Sequence, residues 1–175
     1  KPGGLNYAST GNGTSNHLSF ELFKSMTQTQ VTHVAYKGSA PALTDLIGGQ
    51  VQLMFDNTPN VLPQVKAGKL KAIAVSSTKR SSLAPEVPTV DESGVPGYEV
   101  NVWFGILAPA GTPREIIARL NTEMVKIMRT PEIADRFAKA GVDVVASSPE
   151  SFSDFLKSEV ARWAKVVQDA NIKAD

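Results

Sequence analysis

Leu5-Asn6-Tyr7-Ala8-Ser9-Thr10-Gly11-Asn12-Gly13-Thr14-Ser15-Asn16-His17-Leu18 is the stretch whose reading decides the fold. Its first four residues have the apolar character of a strand, and Leu18, Phe20, Leu22 and Phe23 begin an amphipathic helix spanning about residues 14–27. Between them, glycines allow a tight reversal while hydroxyl side chains crowd the helix start. The first N–H groups of a helix have no partner within it and carry partial positive charge, so such a junction attracts anions. The arrangement recurs one unit later. Val31-Thr32-His33-Val34-Ala35 is strand-like, Tyr36-Lys37-Gly38-Ser39 is a turn, and Ala40-Pro41-Ala42-Leu43 opens a helix with proline near its first position. Two such termini beside one crevice suit a carboxylate. The pattern describes binding and contains no evident chemistry.

Working outward, short strands at 5–8, 31–35, 51–55 and 70–75 alternate with helices near 14–27, 40–48 and 59–67. That alternation predicts βαβ units and a mainly parallel sheet. Residues 81–98, rich in proline and glycine, read as an ordered connector. A strand over 100–107 follows, then helices over about 113–128 and 131–141, a short strand at 142–145 and a long helix from Ser148 to about residue 168. Ile116, Ile117, Leu120, Met124 and Ile127 recur at helical spacing, as do Phe152, Phe155, Leu156, Val160, Trp163 and Val167. Both stripes need something to pack against. Two strands for three helices leave the sheet of this later part unfinished.

Bulk properties narrow the classes. The chain has 175 residues, enough for one domain or two small ones, and its 18 basic and 17 acidic residues give a net charge of +1. No polybasic face points to nucleic acid, and no apolar run is long enough to cross a bilayer. The absence of cysteine removes disulfides, thiolate nucleophiles and sulfur metal sites, without fixing a compartment. With two histidines and no i,i+4 pair, a metal site has little support, and no cofactor is implied. The start, Lys1-Pro2-Gly3-Gly4-Leu5, is neither an initiator methionine nor a secretion signal, and reads as though cut from a longer chain.

Several segments in order carry a family resemblance: Thr10 to Leu18, His33 to Ala42, Asp45-Leu46-Ile47-Gly48-Gly49-Gln50-Val51, Lys66 to Val75, Pro88-Thr89, and Trp103-Phe104-Gly105-Ile106-Leu107-Ala108-Pro109-Ala110-Gly111-Thr112-Pro113. Together they resemble the Bug-type substrate-binding receptors of bacterial tripartite tricarboxylate transporters, over essentially Leu5 to Ile172. The resemblance implies an α/β, periplasmic-binding-protein-like two-lobed fold with a mainly parallel sheet and flanking helices, present here as its C-terminal part. Residues 1–97 would be the second ligand-binding lobe and 98–175 the returning portion of the first. It further implies a periplasmic receptor, exported by a signal peptide in its precursor. Its function would be to capture a small organic carboxylate by lobe closure and hand it to the transporter's membrane subunits. With the first lobe incomplete, apolar surface on the helices at 114–128 and 150–168 would favour self-association. Ala35 stands where the family often has proline, and Gln52 where an acid is common.

The expected ligand contacts are Ser9, Thr10, Gly11, Gly13, Thr14, Ser15 and His17 of the first turn, Lys37, Gly38, Ser39 and Ala40 of the second, and Asp56 after the third strand. Gly11 and Gly13 would supply unhindered backbone, and Thr14 and Ser15 hydroxyl and N–H donors. Lys37 either meets a ligand carboxylate or is solvated. Asp56 either accepts from a ligand or shapes an Asx turn. His17 either faces the ligand or is held by hydrogen bonds, and His33 reads as packing or surface. Two other functions stay open. One is a sensory module of the same fold regulating a partner. The other is an enzyme acting on a phosphate or acyl group, although neither the Gly-Lys-Ser/Thr ending of a P-loop nor a Gly-x-Ser-x-Gly elbow is present.

Overall fold

A computed structural model describes residues 3–173. The chain divides into two compact units: one comprises residues up to Val102 together with those from Trp163 onward, the other Trp103–Arg162.

The first unit is built on three parallel strands, β1 (Asn6–Ser9), β2 (Thr32–Ala35) and β3 (Leu53–Met54), in the order β2-β1-β3. Each runs into a helix: α1 (Ser15–Thr27), α2 (Ser39–Ile47) and α3 (Thr58–Lys66). Register pairs Tyr7 with His33 and Leu53, and Ala8 with Val34 and Met54. β1 is central and therefore buried, with Tyr7, Ala8 and Ser9 inaccessible to solvent. Ala8 packs with Ala42 and Val51, flanked by Val34, Tyr36, Leu46 and Met54. A second cluster joins Val90, Tyr98 and Val100 to Leu22, Phe23, Phe55 and Trp163. Within it, Phe55 stacks on Tyr98 at 6.0 Å between ring centroids, and Phe23 meets both rings edge-on. Residues 81–98 are therefore more than a connector. Ala84, Val87, Thr89, Val90 and Tyr98 are buried in this unit, and the Tyr98 hydroxyl donates to the Ser19 carbonyl at 3.0 Å.

Three expected strands do not form. Of residues 70–75, only Val75 makes a single parallel bridge, to Thr89. The segments 100–107 and 142–145 form no strand: the Val100 N–H donates to the Ser76 carbonyl at 2.8 Å and the Val142 N–H to the Phe137 carbonyl at 2.9 Å, but among the described residues no backbone–backbone hydrogen bond involves 102–108 or 143–146. Apolar β-branched composition makes a segment suitable for a sheet, but only a neighbour's donors and acceptors make it a strand. The strand read at 51–55 is confined to Leu53–Met54, although the Gln52 N–H also donates to the Asn6 carbonyl at 3.0 Å.

The second unit contains α4 (Arg114–Met128), α5 (Pro131–Lys139) and most of α6 (Pro149–Asp169). Trp103 sits edge-on to Phe152 and Phe155, and its indole N–H donates to Glu159 Oε2 at 3.0 Å. Gly105 lies against the same cluster, where a Cβ would fall 2.1 Å from Phe152 Cζ. Apolar side chains are widely exposed here, including Phe104, Ile106, Leu107, Leu120, Ile127 and Val160. Both extended stripes read from the sequence are helices, but large parts of them face solvent.

Gly105→Ala must push the Phe152 ring off its seat, and overpacking of this kind costs ~1–3 kcal/mol. Denaturant unfolding of the protein carrying this change should show that loss; an unshifted midpoint would mean that the ring yields freely.

A candidate binding site at the carboxyl edge of the sheet

Because β1, β2 and β3 are parallel, their carboxyl ends share one edge, the edge at which open α/β sheets gather their ligands. The first two turns are tied together there by backbone. The Tyr36 N–H donates to the Ser9 carbonyl at 3.0 Å, and the Gly38 N–H to the Thr10 carbonyl at 3.3 Å. The first turn closes on itself, since the Thr14 hydroxyl and N–H both donate to the Gly11 carbonyl, at 2.8 and 3.4 Å. Gly13 and Gly38 adopt φ of 69° and 107°, a left-handed region that a side chain resists.

A side-chain network joins the third turn to the other two. The Thr10 hydroxyl donates to Asn16 Oδ1 at 2.7 Å, and Asn16 Nδ2 donates to the Phe55 carbonyl at 2.7 Å and to Asp56 Oδ1 at 3.4 Å. Asp56 Oδ1 also accepts from the Asn57 N–H and from Asn60 Nδ2, and Asp56 Oδ2 accepts from the Ser39 hydroxyl. Thr10, Asn16, Ser39 and Asp56 thus form one bonded set spanning all three βα junctions. The Asp56 carboxylate accepts from four donors of the chain itself. Lys37 and Ala40 are exposed on the second turn, as are Gly13 and Ser15 on the first.

Asn16 was missed by the sequence reading. The available signal was its place on the buried face of α1, one turn before Phe20 and two before Phe23, where an unpaired amide is costly and must have partners.

His17 is buried behind the first turn, its Nδ1 accepting the Gly13 N–H at 3.1 Å. Its ring stacks on His33 at 3.8 Å, and His33 Nε2 lies 2.6 Å from the Ser9 hydroxyl. Beyond them the Tyr7 hydroxyl donates to Glu21 at 2.5 Å, and Lys24 reaches the same carboxylate at 2.6 Å. Burial lowers the pKa of both histidines, that of His33 to about 4 with the neighbouring His17 adding to the effect. His33 is thus a structural partner of the turn, with both the packing role read for it and a hydrogen bond that was not foreseen.

The helix termini also differ in charge. α1, α2 and α3 have no capping side-chain hydrogen bond and no acidic residue in their first turns. In contrast, α4, α5 and α6 begin with Glu115, Glu132 and Glu150. At the sheet edge no acidic residue lies inside a first turn, and the carboxylate there is Asp56, which accepts from the Asn57 N–H before α3 and from the Ser39 hydroxyl at the start of α2. Among the described residues, no group of three His, Asp or Glu side chains could hold a metal ion.

An α/β domain with three βα turns converging at one sheet edge is a ligand-binding architecture. Comparison with known proteins makes the class specific: the sequence matches the tripartite tricarboxylate transporter family receptor over residues 1–172, and the chain belongs to that family. It is 38% identical over 175 residues to a UPF0065 protein of the tcbD-tcbE intergenic region of Pseudomonas sp. strain P51, covering 99% of this chain and 52% of that protein. It is 36% identical over 173 residues to BugT of Bordetella pertussis, covering 99% of this chain and 53% of BugT. The chain thus spans about half the length of the curated relatives it matches. Among solved structures it resembles R. palustris Rpa4515 with adipate (TM-score 0.88, 39% identity, 100% of this chain and 58% of that one). It also resembles the periplasmic binding protein BugD (0.84, 34%, 100% and 59%) and MatC from Rhodopseudomonas palustris with bound malate (0.78, 32%, 94% and 57%). The fold is the α/β periplasmic-binding-protein fold.

Asn16→Ala leaves the Phe55 carbonyl without its donor and Asp56 one donor short, at a cost of ~1–3 kcal/mol. Thermal or denaturant unfolding measures this, and an unchanged stability would show that the three turns are held together without the amide.

Proposed function

We propose that this chain is the part of a periplasmic receptor that captures a small organic carboxylate at the 9–15 and 37–40 turns, and that the complete receptor delivers it to the membrane subunits of a tripartite tricarboxylate transporter. The observation that carries the reading is the convergence of uncapped α1, α2 and α3 at one edge of the sheet, with the first two turns bonded backbone to backbone. Further support comes from the relatives whose structures hold adipate and malate. Contacts would come from Thr10, Gly11, Thr14 and Ser15 on one side and Gly38, Ser39 and Ala40 on the other, with Lys37 adding a positive charge and Gly13, whose N–H goes to His17, shaping the first turn. His17 and Asp56 would act by shaping these turns. Each charge-assisted hydrogen bond contributes ~1.5–3 kcal/mol, so a few amides give useful affinity. In this reading residues 1–97 form one ligand-binding lobe and 98–175 part of the other, and closure of the lobes on the anion is the transport signal.

Calorimetric titration of the full-length receptor with mono-, di- and tricarboxylates tests the proposal. Binding of at least one member is expected, and no binding by a folded protein would overturn it. Ser15→Glu places a resident carboxylate at the first position of α1. It should weaken ligand affinity by about tenfold or more, equivalent to about 1.4 kcal/mol, while leaving the melting temperature equal or slightly higher. Equal affinity in that variant would remove α1 from the site.

The exposed apolar residues of α4, α6 and the 102–108 segment lead to a further expectation. The 175-residue chain by itself should self-associate in sedimentation velocity, and a dilute monomer would count against it.

A further inference from the structure

We propose that the stacked His17–His33 pair is a proton-operated latch on the first turn, released in acid when His17 can no longer accept the Gly13 N–H. The argument begins with valence. A neutral imidazole has one acceptor nitrogen, and in His17 that nitrogen is Nδ1, engaged by Gly13 at 3.1 Å. The other, Nε2, therefore carries the hydrogen, and it faces Glu21 at 3.8 Å. Any added proton must go to Nδ1, where it turns the acceptor into a second donor pointed at an N–H. Protonation of His17 and the Gly13 hydrogen bond are thus mutually exclusive.

The groups facing the pair come from three elements. From α1 come Glu21 and Lys24, which bond to each other at 2.6 Å; from β1 comes the Tyr7 phenol, donating to Glu21; from β2 comes His33 itself, 3.8 Å from His17 between ring centroids. Glu21 is already engaged by Lys24 and Tyr7, so it offers an imidazolium only part of its charge. The N-terminal turn of α1, which carries His17, also disfavours a cation. If His17 protonates, His33 faces a cation at stacking distance, and its bond to the Ser9 hydroxyl at 2.6 Å is the next to be strained. Ser9 in turn holds the Gly11 amide and carbonyl, at 3.2 and 3.0 Å. The pair therefore fixes both glycines of the turn.

Protons bind the unfolded histidines more readily than the buried ones, whose pKa values lie below 6.5. Stability is accordingly full above pH 6.5 and falls as pH drops toward about 4, the value for His33. The consequence for ligand rests on the carboxylate reading above. One pH unit below the His17 midpoint only about a tenth of the molecules keep the latch closed, so affinity falls by up to about tenfold.

The test is NMR titration of the ligand-free full-length receptor labelled with 15N-glycine and imidazole-15N histidine. The Gly13 amide and His17 Nδ1 should titrate together, with a midpoint below 6.5. A Gly13 amide that stays fixed while His17 titrates, or a His17 midpoint at or above 6.5, overturns the latch. His17→Gln should abolish the pH response of Gly13, and His33→Gln, which leaves the His17–Gly13 pair in place, should keep it. Should either variant fail to fold, the wild-type titration decides by itself. Coupled titration in a receptor that binds no carboxylate would sustain the latch and sink the transport reading. Carboxylate binding that weakens in acid equally in wild type and His17→Gln would overturn the latch's control of the site and leave the transport reading intact.

Discussion

Everything at the binding edge depends on β1 being hydrogen-bonded on both sides in parallel register. The strand is only four residues long, yet Tyr7, Ala8 and Ser9 are fully buried and their neighbours are fixed by pairing. With Ser9 opposite Ala35, the chain beyond β2 emerges where the Tyr36 and Gly38 amides meet the Ser9 and Thr10 carbonyls. A slip of one residue would turn Tyr7 away from Phe20, on which it stacks at 3.9 Å, and would expose the small Ala8 in place of the ring. Register, core and turn geometry therefore stand or fall together.

This dependence explains what could be read from the residues and what could not. The turns and helices were legible because their causes are local: glycines at left-handed φ, proline in the first turn, and apolar side chains at helical spacing. The helix expected at 40–48 is observed at Ser39–Ile47, and that expected at 59–67 at Thr58–Lys66. The strand at 70–75 was not, because its composition permits a sheet without supplying a neighbour; only Val75 finds one. The Asn16 network was hidden for a related reason. Its partners Phe55 and Asp56 lie 39 and 40 residues away, so nothing near Asn16 announces them. His33 is similar, bonding to Ser9 across 24 residues of chain.

The side chains of the edge have an unexpected division of labour. Thr14 spends its hydroxyl hydrogen on the Gly11 carbonyl, Thr10 spends its own on Asn16, and Ser39 spends its own on Asp56. These hydroxyls hold the three turns in shape. The Gly13 amide is committed too, to His17. A negative group such as Asp56 can sit here because four donors from the chain satisfy it, and in doing so it fixes where the second and third turns lie.

In the proposed reading, an arriving anion would meet chiefly backbone: the first amides of helices that have no side-chain cap. That choice of donor has a consequence for recognition. Backbone N–H groups are held by the sheet and helices, so they lose little conformational freedom on binding and need no reorientation. They also read only an oxygen's charge and position, and are indifferent to the carbon skeleton behind it. On the proposed function, a cradle of this kind would fix the carboxylate end of a ligand and leave discrimination of the remainder to residues that face its other end. On that reading the turns would define a chemical class more sharply than a single compound.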